Sequence, residues 1–189
     1  MTTAYDLLQK TAETNKQLYT LLRFACRCDH VTALEFNSYE SAVVFLAAKN
    51  KTSRIHPLGP VDDPSILQLR NLAEETELDQ KIEQLQKNEL EATELLYINS
   101  PAEGNYRAME LGKYAPFVSK YILLPNTVRN GLTASQQIKL ADDIQPIGLV
   151  FGINHFLQSN DDWFILEHDD IDPGITVLVN RKNVTNAFS

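Results

Sequence analysis

The chain has 189 residues, 43% of them apolar, and a formal net charge of -8. That length suits one domain with at most an appended subdomain, and the acidic balance excludes a nucleic-acid surface, which needs clustered Lys and Arg. No apolar run approaches the roughly 20 residues of a membrane span, and MTTAYDLLQK lacks the basic start and apolar core of a signal peptide, so a cytoplasmic protein without a membrane partner is expected.

From Thr3 to about Cys26, Leu7, Leu8, Leu18, Leu22 and Ala25 recur at helical spacing and predict an amphipathic helix. HVTALEF alternates Val31, Ala33 and Glu35 against Thr32, Leu34 and Phe36, a strand pattern. Asn37 and Glu40 then form a capping box for a helix through SAVVFLAAKN. A short extended piece, SRIHPL, runs into the turn-rich GPVDDP, which marks the expected boundary. Residues 1–63 are read as an N-terminal helical and βα extension, and 64–189 as the main domain.

Asp63 and Pro64 open a predicted long acidic helix reaching about Leu90, with Glu77–Lys81 and Glu83–Lys87 as i,i+4 pairs and Leu78, Ile82 and Leu85 on its inner side. This helix, residues 64–90, is also a candidate surface for a protein partner. ATELLYIN, NYRAMEL and VSKYILLP read as strands, TASQQIKLADD as a capped helix, and Pro146 and Gly148 as the opening of a short helix. DWFILEH and GITVLVN complete the strands. Few helices and no βαβ rhythm predict an α+β fold, a mainly antiparallel sheet with helices on one side.

Several of these segments resemble the chorismate lyases. LAEETELDQKIEQ (Leu72 to Gln84) is similar to the first helix of that family, ELLYIN to its next strand, and Tyr106-Arg107 followed by AMEL to the strand that carries its substrate-binding arginine. Pro116, Phe117, Val118 and Pro125 repeat a family spacing, and Pro146-Ile147-Gly148 resembles its Pro-Leu-Gly turn. The resemblance spans roughly residues 70–186. It implies a chorismate lyase-like fold that binds a small cyclic or aromatic carboxylate, chorismate or 4-hydroxybenzoate, and a lyase reaction releasing pyruvate without metal or cofactor. It further implies that Arg107 grips the ring carboxylate and that Leu78 and Ile147 border the ring. The family's last strand, with its glutamate, is missing after NVTNAFS. A permuted arrangement in which HVTALEF fills that place would make Glu35 the catalytic acid. The alternative reading is a non-catalytic ligand sensor or protein-interaction module.

Two further clusters carry metal-ligating side chains. Cys26, Cys28 and His30 would share one face of a strand, but no other cysteine completes a zinc site, and reduced thiols are the simpler reading. Asp161, Asp162, Glu167, His168, Asp169, Asp170 and Asp172 crowd one stretch, yet their register fails the calcium loop, and solvated turns account for them.

Overall fold

The computed structural model describes residues 17–36, 39–58, 64–75, 77–83, 85, 89–101, 104–128 and 148–184. The chain divides into two compact units, Met1–Ser100 and Pro101–Ser189.

In the first unit, helix α1 (Gln17–Ala25) leads to strand β1 (His30–Glu35), helix α2 (Glu40–Ala48) and strand β2 (Thr52–Pro57). Helix α3 (Pro64–Glu75), strand β3 (Asp79–Ile82) and strand β4 (Thr93–Asn99) follow. β1 pairs in parallel with β2 and with β4, and β2 pairs in parallel with β3, giving the order β3-β2-β1-β4. Val31 through Glu35 are all buried, as expected for an interior parallel strand covered on both faces. Leu18, Leu21, Phe24, Val44, Phe45, Ile55, Leu95 and Tyr97 supply the rest of this core.

The mainly antiparallel sheet is therefore corrected: every described pairing in this unit is parallel, and β1-α2-β2-α3-β3 is a repeated βαβ rhythm. The sequence hides that rhythm because α3 stops without glycine. Glu77 adopts φ 56°. Its N–H donates to the Glu74 carbonyl at 3.2 Å, and the Leu78 N–H donates to the Ala73 carbonyl at 3.1 Å. This is a Schellman ending, whose left-handed residue is usually Gly. The helix expected to reach Leu90 thus ends at Glu75, and Lys81 and Ile82 lie on β3, which removes the helical Glu77–Lys81 pair.

α2 ends the same way. Lys49 has φ 58°, and N–H groups of Lys49 and Asn50 donate to the carbonyls of Leu46 and Phe45. Asn50, 3% exposed, also donates from Nδ2 to the carbonyls of Ala25 (2.8 Å) and Cys28 (2.6 Å), so it closes α1 as well. Cys26 is exposed and Cys28 buried in the turn after α1, not on a strand, and both are free thiols. Among the described residues no group of three or more His, Cys, Asp and Glu could hold a metal.

The second unit runs through helix α4 (Gly104–Tyr114), a 3-10 turn (Ala115–Phe117), strand β5 (Val118–Pro125), helix α5 (Leu149–Gln158), strands β6 (Trp163–Asp169) and β7 (Ile175–Asn180), and helix α6 (Arg181–Val184). β7 lies between β5 and β6 and is antiparallel to both. The segment NYRAMEL is thus helix, not strand. Its buried positions, Gly104, Arg107, Leu111 and Tyr114, follow a helical stripe, but an arginine stands in that stripe while Tyr106 and Met109 are exposed. The apolar period is inverted, and the helix cannot be read from it. α5 has a regular stripe, Leu149, Gly152, Ile153 and Phe156, and packs on α4 at Gly152. The helix expected at TASQQIKLADD lies outside the described residues. Among those described, no helix is long and apolar enough to cross a membrane.

Candidate functional site

In an open parallel sheet, ligands bind outside the carboxyl ends of the strands, where the strand order reverses. In the first unit the chain goes from β1 to β2 and β3 on one side and returns to β4 on the other, so the reversal falls between β1 and β4. Glu35 and Asn99 end these two strands and are register partners. The Phe36 N–H donates to the Asn99 carbonyl (3.0 Å), and the Leu58 N–H to the Glu35 carbonyl (2.7 Å), so three strand ends are tied at one level.

Glu35 is 1% exposed. Its carboxylate accepts a hydrogen bond from the Ser41 N–H at 3.4 Å and a short one from the Ser41 hydroxyl. Ser41 is in the first turn of α2, so a carboxylate sits at a helix N-terminus, where the macrodipole and unsatisfied N–H groups favour negative charge. Tyr97, fully buried, has its hydroxyl pushed well above the usual phenol range, first by burial and then by the charges of Glu35 and Glu40. It stays a neutral phenol. At the end of β2, His56 is 5% exposed, and its Nδ1 lies 2.9 Å from the Glu83 carbonyl; a carbonyl only accepts, so Nδ1 carries the proton. Burial, ahead of all other causes, lowers the His56 pKa below its usual value. Phe36 and Leu58, 42% and 39% exposed, present apolar surface at the same edge.

The residues expected to form a site fall on separate segments of the chain. Glu35 ends a central strand. Leu78 precedes β3, the far end of the order β3-β2-β1-β4. Arg107 belongs to the second unit, 1% exposed on α4, with its guanidinium 2.6 Å from the Glu110 carboxylate. Ile147 lies outside the described residues. What the sequence did not disclose is the pairing of Glu35 with Ser41; the only signal was a serine six positions after a strand-ending glutamate.

No family profile matches the chain, and no curated protein matches its sequence. Solved structures do match. A Staphylococcus aureus protein ascribed to the caffeoyl-CoA O-methyltransferases has a TM-score of 0.62 at 14% identity, covering 93% of this chain and 91% of its own. The fold is that of the methyltransferases. A Bacillus cereus O-methyltransferase in complex with SAH gives 0.58 at 14% identity over 94% and 90% of the two chains. The O-methyltransferase TomG from Streptomyces achromogenes, in complex with SAM, gives 0.54 at 11% identity over 87% and 79%.

This methyltransferase fold overturns the chorismate lyase resemblance, and with it the lyase reaction, release of pyruvate, 4-hydroxybenzoate and the small carboxylate ligand. Nor does any finding support the sensor or interaction module offered as its alternative. The short motifs behind the resemblance fall on elements of other kinds. Leu72 to Gln84 crosses a helix end into a parallel strand, and the expected arginine-bearing strand is α4.

An S-adenosyl ligand offers a sulfonium, an ammonium, a carboxylate, a ribose diol and an aromatic base. The donor set at the methyltransferase-fold edge fits it at three points. Glu35 is an acceptor-only group suited to a cation, Asn99 can both donate and accept, and Phe36 and Leu58 give apolar surface for a base. It fits a polyphosphate nucleotide poorly, because Glu35 already holds the helix N-terminus where a phosphate would bind. One departure is plain: β2 ends Ile55-His56-Pro57 and Leu58 follows, so no described residue there offers a ribose diol a carboxylate.

Proposed function

We propose that this chain is an S-adenosylmethionine-dependent methyltransferase whose ligand sits at the carboxyl edge of β1 and β4. The reading rests on one observation: the strand order reverses beside Glu35, a buried carboxylate fixed by Ser41, in a fold shared with O-methyltransferases. A bound S-adenosyl sulfonium would supply a methyl group activated for displacement by a nucleophile. Glu35 would contribute a negative charge at a fixed place, since its two bonds to Ser41 leave it no freedom to turn away. Its charge is held without reorganisation, which is what makes a preorganised group effective. Neutral Tyr97 adds no competing charge, and Phe36 and Leu58 would exclude water from the base.

Calorimetric titration with S-adenosylmethionine and S-adenosylhomocysteine tests the reading, with ATP and NAD as comparators. Both adenosyl compounds should bind and neither polyphosphate should. At 100 times the dissociation constant, binding adds about 2.7 kcal/mol to stability, visible as a rise in Tm. Glu35→Gln should weaken S-adenosylmethionine by about tenfold, the equivalent of 1.4 kcal/mol. Absence of heat and of any Tm shift with both adenosyl compounds sinks the proposal.

A further inference from the structure

The second unit contains a cavity of about 430 Å³ that the methyltransferase reading does not use. It lies where β5 and β6 begin and β7 ends, with Val118, Trp163 and Asn180 in its wall. Ala115 and Pro116 make one apolar side, and Ser159, Asn160, Asp161, Asp162 and Lys182 line the rest. A volume of this order is within the range of small-molecule sites.

The wall has hydrogen-bonding capacity left over. Trp163 is 6% exposed, its ring tilted against Phe156 at 6.4 Å. Its indole N–H, in the cavity wall, can only donate. Asn180 accepts from the Lys182 N–H through Oδ1, which leaves its amide N–H groups. Asn160 donates from Nδ2 to the Phe156 carbonyl, which leaves its amide oxygen. Lys182 is engaged with Asp162 at 2.6 Å, whereas Asp161 has no ion-pair partner among the described residues. Donors at Trp163 and Asn180 therefore stand in one cavity with acceptors at Asn160 and Asp161.

A hydroxyl is the neutral group that meets both needs, because it accepts from an N–H and donates to a carboxylate or amide oxygen. An anion would be repelled by Asp161 and would leave Asn160 unmet. A plain ammonium would leave Trp163 and Asn180 unmet. We propose that this cavity is a binding site for a small polyhydroxylated molecule of the monosaccharide class, held by Trp163, Asn180, Asn160 and Asp161. This inference is independent of the adenosyl reading and stands or falls without it.

Trp163 is the only tryptophan of the chain, so its emission reports on the cavity alone. The full chain is titrated with glucose, galactose, N-acetylglucosamine and myo-inositol, with inorganic phosphate and methylamine as comparators. Saturation-transfer NMR follows the same ligands. The expected result is a saturable emission change and saturation transfer with at least one polyol and neither comparator. Asn180→Ala and Asp161→Asn should each weaken it by about tenfold with Tm unchanged. Trp163→Phe, followed by NMR and checked for folding by circular dichroism, should weaken it likewise. No saturable change with any polyol, equal binding of a comparator, or unaltered affinity in folded Asn180→Ala and Asp161→Asn overturns the proposal.

Discussion

Replacing Gly152 by alanine tests how closely α4 and α5 approach. A Cβ at Gly152 would lie 2.3 Å from the Gly104 carbonyl oxygen, 2.7 Å from the Arg107 Cβ and 3.2 Å from the Ala108 nitrogen. The first and third of these are backbone atoms, and the second is a Cβ fixed to backbone, so no flexible side-chain end can swing aside. The helices must separate. Overpacking of this kind costs about 1–3 kcal/mol or more, and separation also loosens the buried Arg107. Alanine gains about 1 kcal/mol over glycine in helix propensity, which offsets only part of the loss. Because the clash is with backbone, the cost falls at the upper end of that range, and the net loss, about 2 kcal/mol, corresponds to a Tm fall of about 4–8 °C for a chain of this size. Gly112 is the control: it is on α4, and a Cβ there meets nothing within 4 Å, so Gly112→Ala should stabilise by about 0.5–1 kcal/mol. Urea denaturation of both variants measures the difference. Equal or greater stability of Gly152→Ala than wild type would refute the close packing of α4 on α5.

Three other substitutions have signs fixed by the structure. Glu77→Gly relieves a left-handed residue at the end of α3 and should raise stability by up to about 1 kcal/mol, read from the urea midpoint; a decrease would contradict the Schellman ending. Glu110→Ala removes the carboxylate that pairs with the Arg107 guanidinium, which is 1% exposed, and should cost about 1–3 kcal/mol, with little dependence on salt because burial limits screening. A loss that vanishes in high salt would place the pair at the surface. His56 has a folded pKa below its unfolded one, so its neutral form favours the folded state. That contribution is complete above about pH 6.5, the unfolded value, and is lost as the pH falls through the lowered folded value. The stability difference between wild type and His56→Gln should therefore shrink between about pH 7.5 and 5; a difference constant over that window would mean the imidazole is not desolvated.

The legible parts of the chain were those where local pattern and tertiary role agree. HVTALEF, SRIHP, ELLYIN, VSKYILLP and GITVLVN are strands because β-branched and apolar residues cluster between turn residues, and α5 follows Gly148 with a clean apolar stripe. Parallel pairing could not be read in the first three, since an interior strand shows only apolar content and not its neighbours. The errors came from residues in unaccustomed places. Glu77 and Lys49 take conformations that glycine advertises, so α3 seemed to run on through β3 and the βαβ rhythm vanished. Arg107 inside and Met109 outside turned α4 into an apparent strand. Glu35 was singled out as a lyase acid: a glutamate next to leucine and phenylalanine says that a carboxylate is near a core, not which hydroxyl secures it. The donors and acceptors around Trp163 come from two separate stretches, and nothing in the linear order announces that they meet.

Asn50 links the fates of two helices. Its single amide group clasps the last turn of α1 while its own backbone N–H seals α2, so fraying of either helix strips partners from a side chain sealed off from water. The two should open as one cooperative unit, and their slowest amide protons should exchange at a common rate, with Asn50→Ala splitting that rate in two.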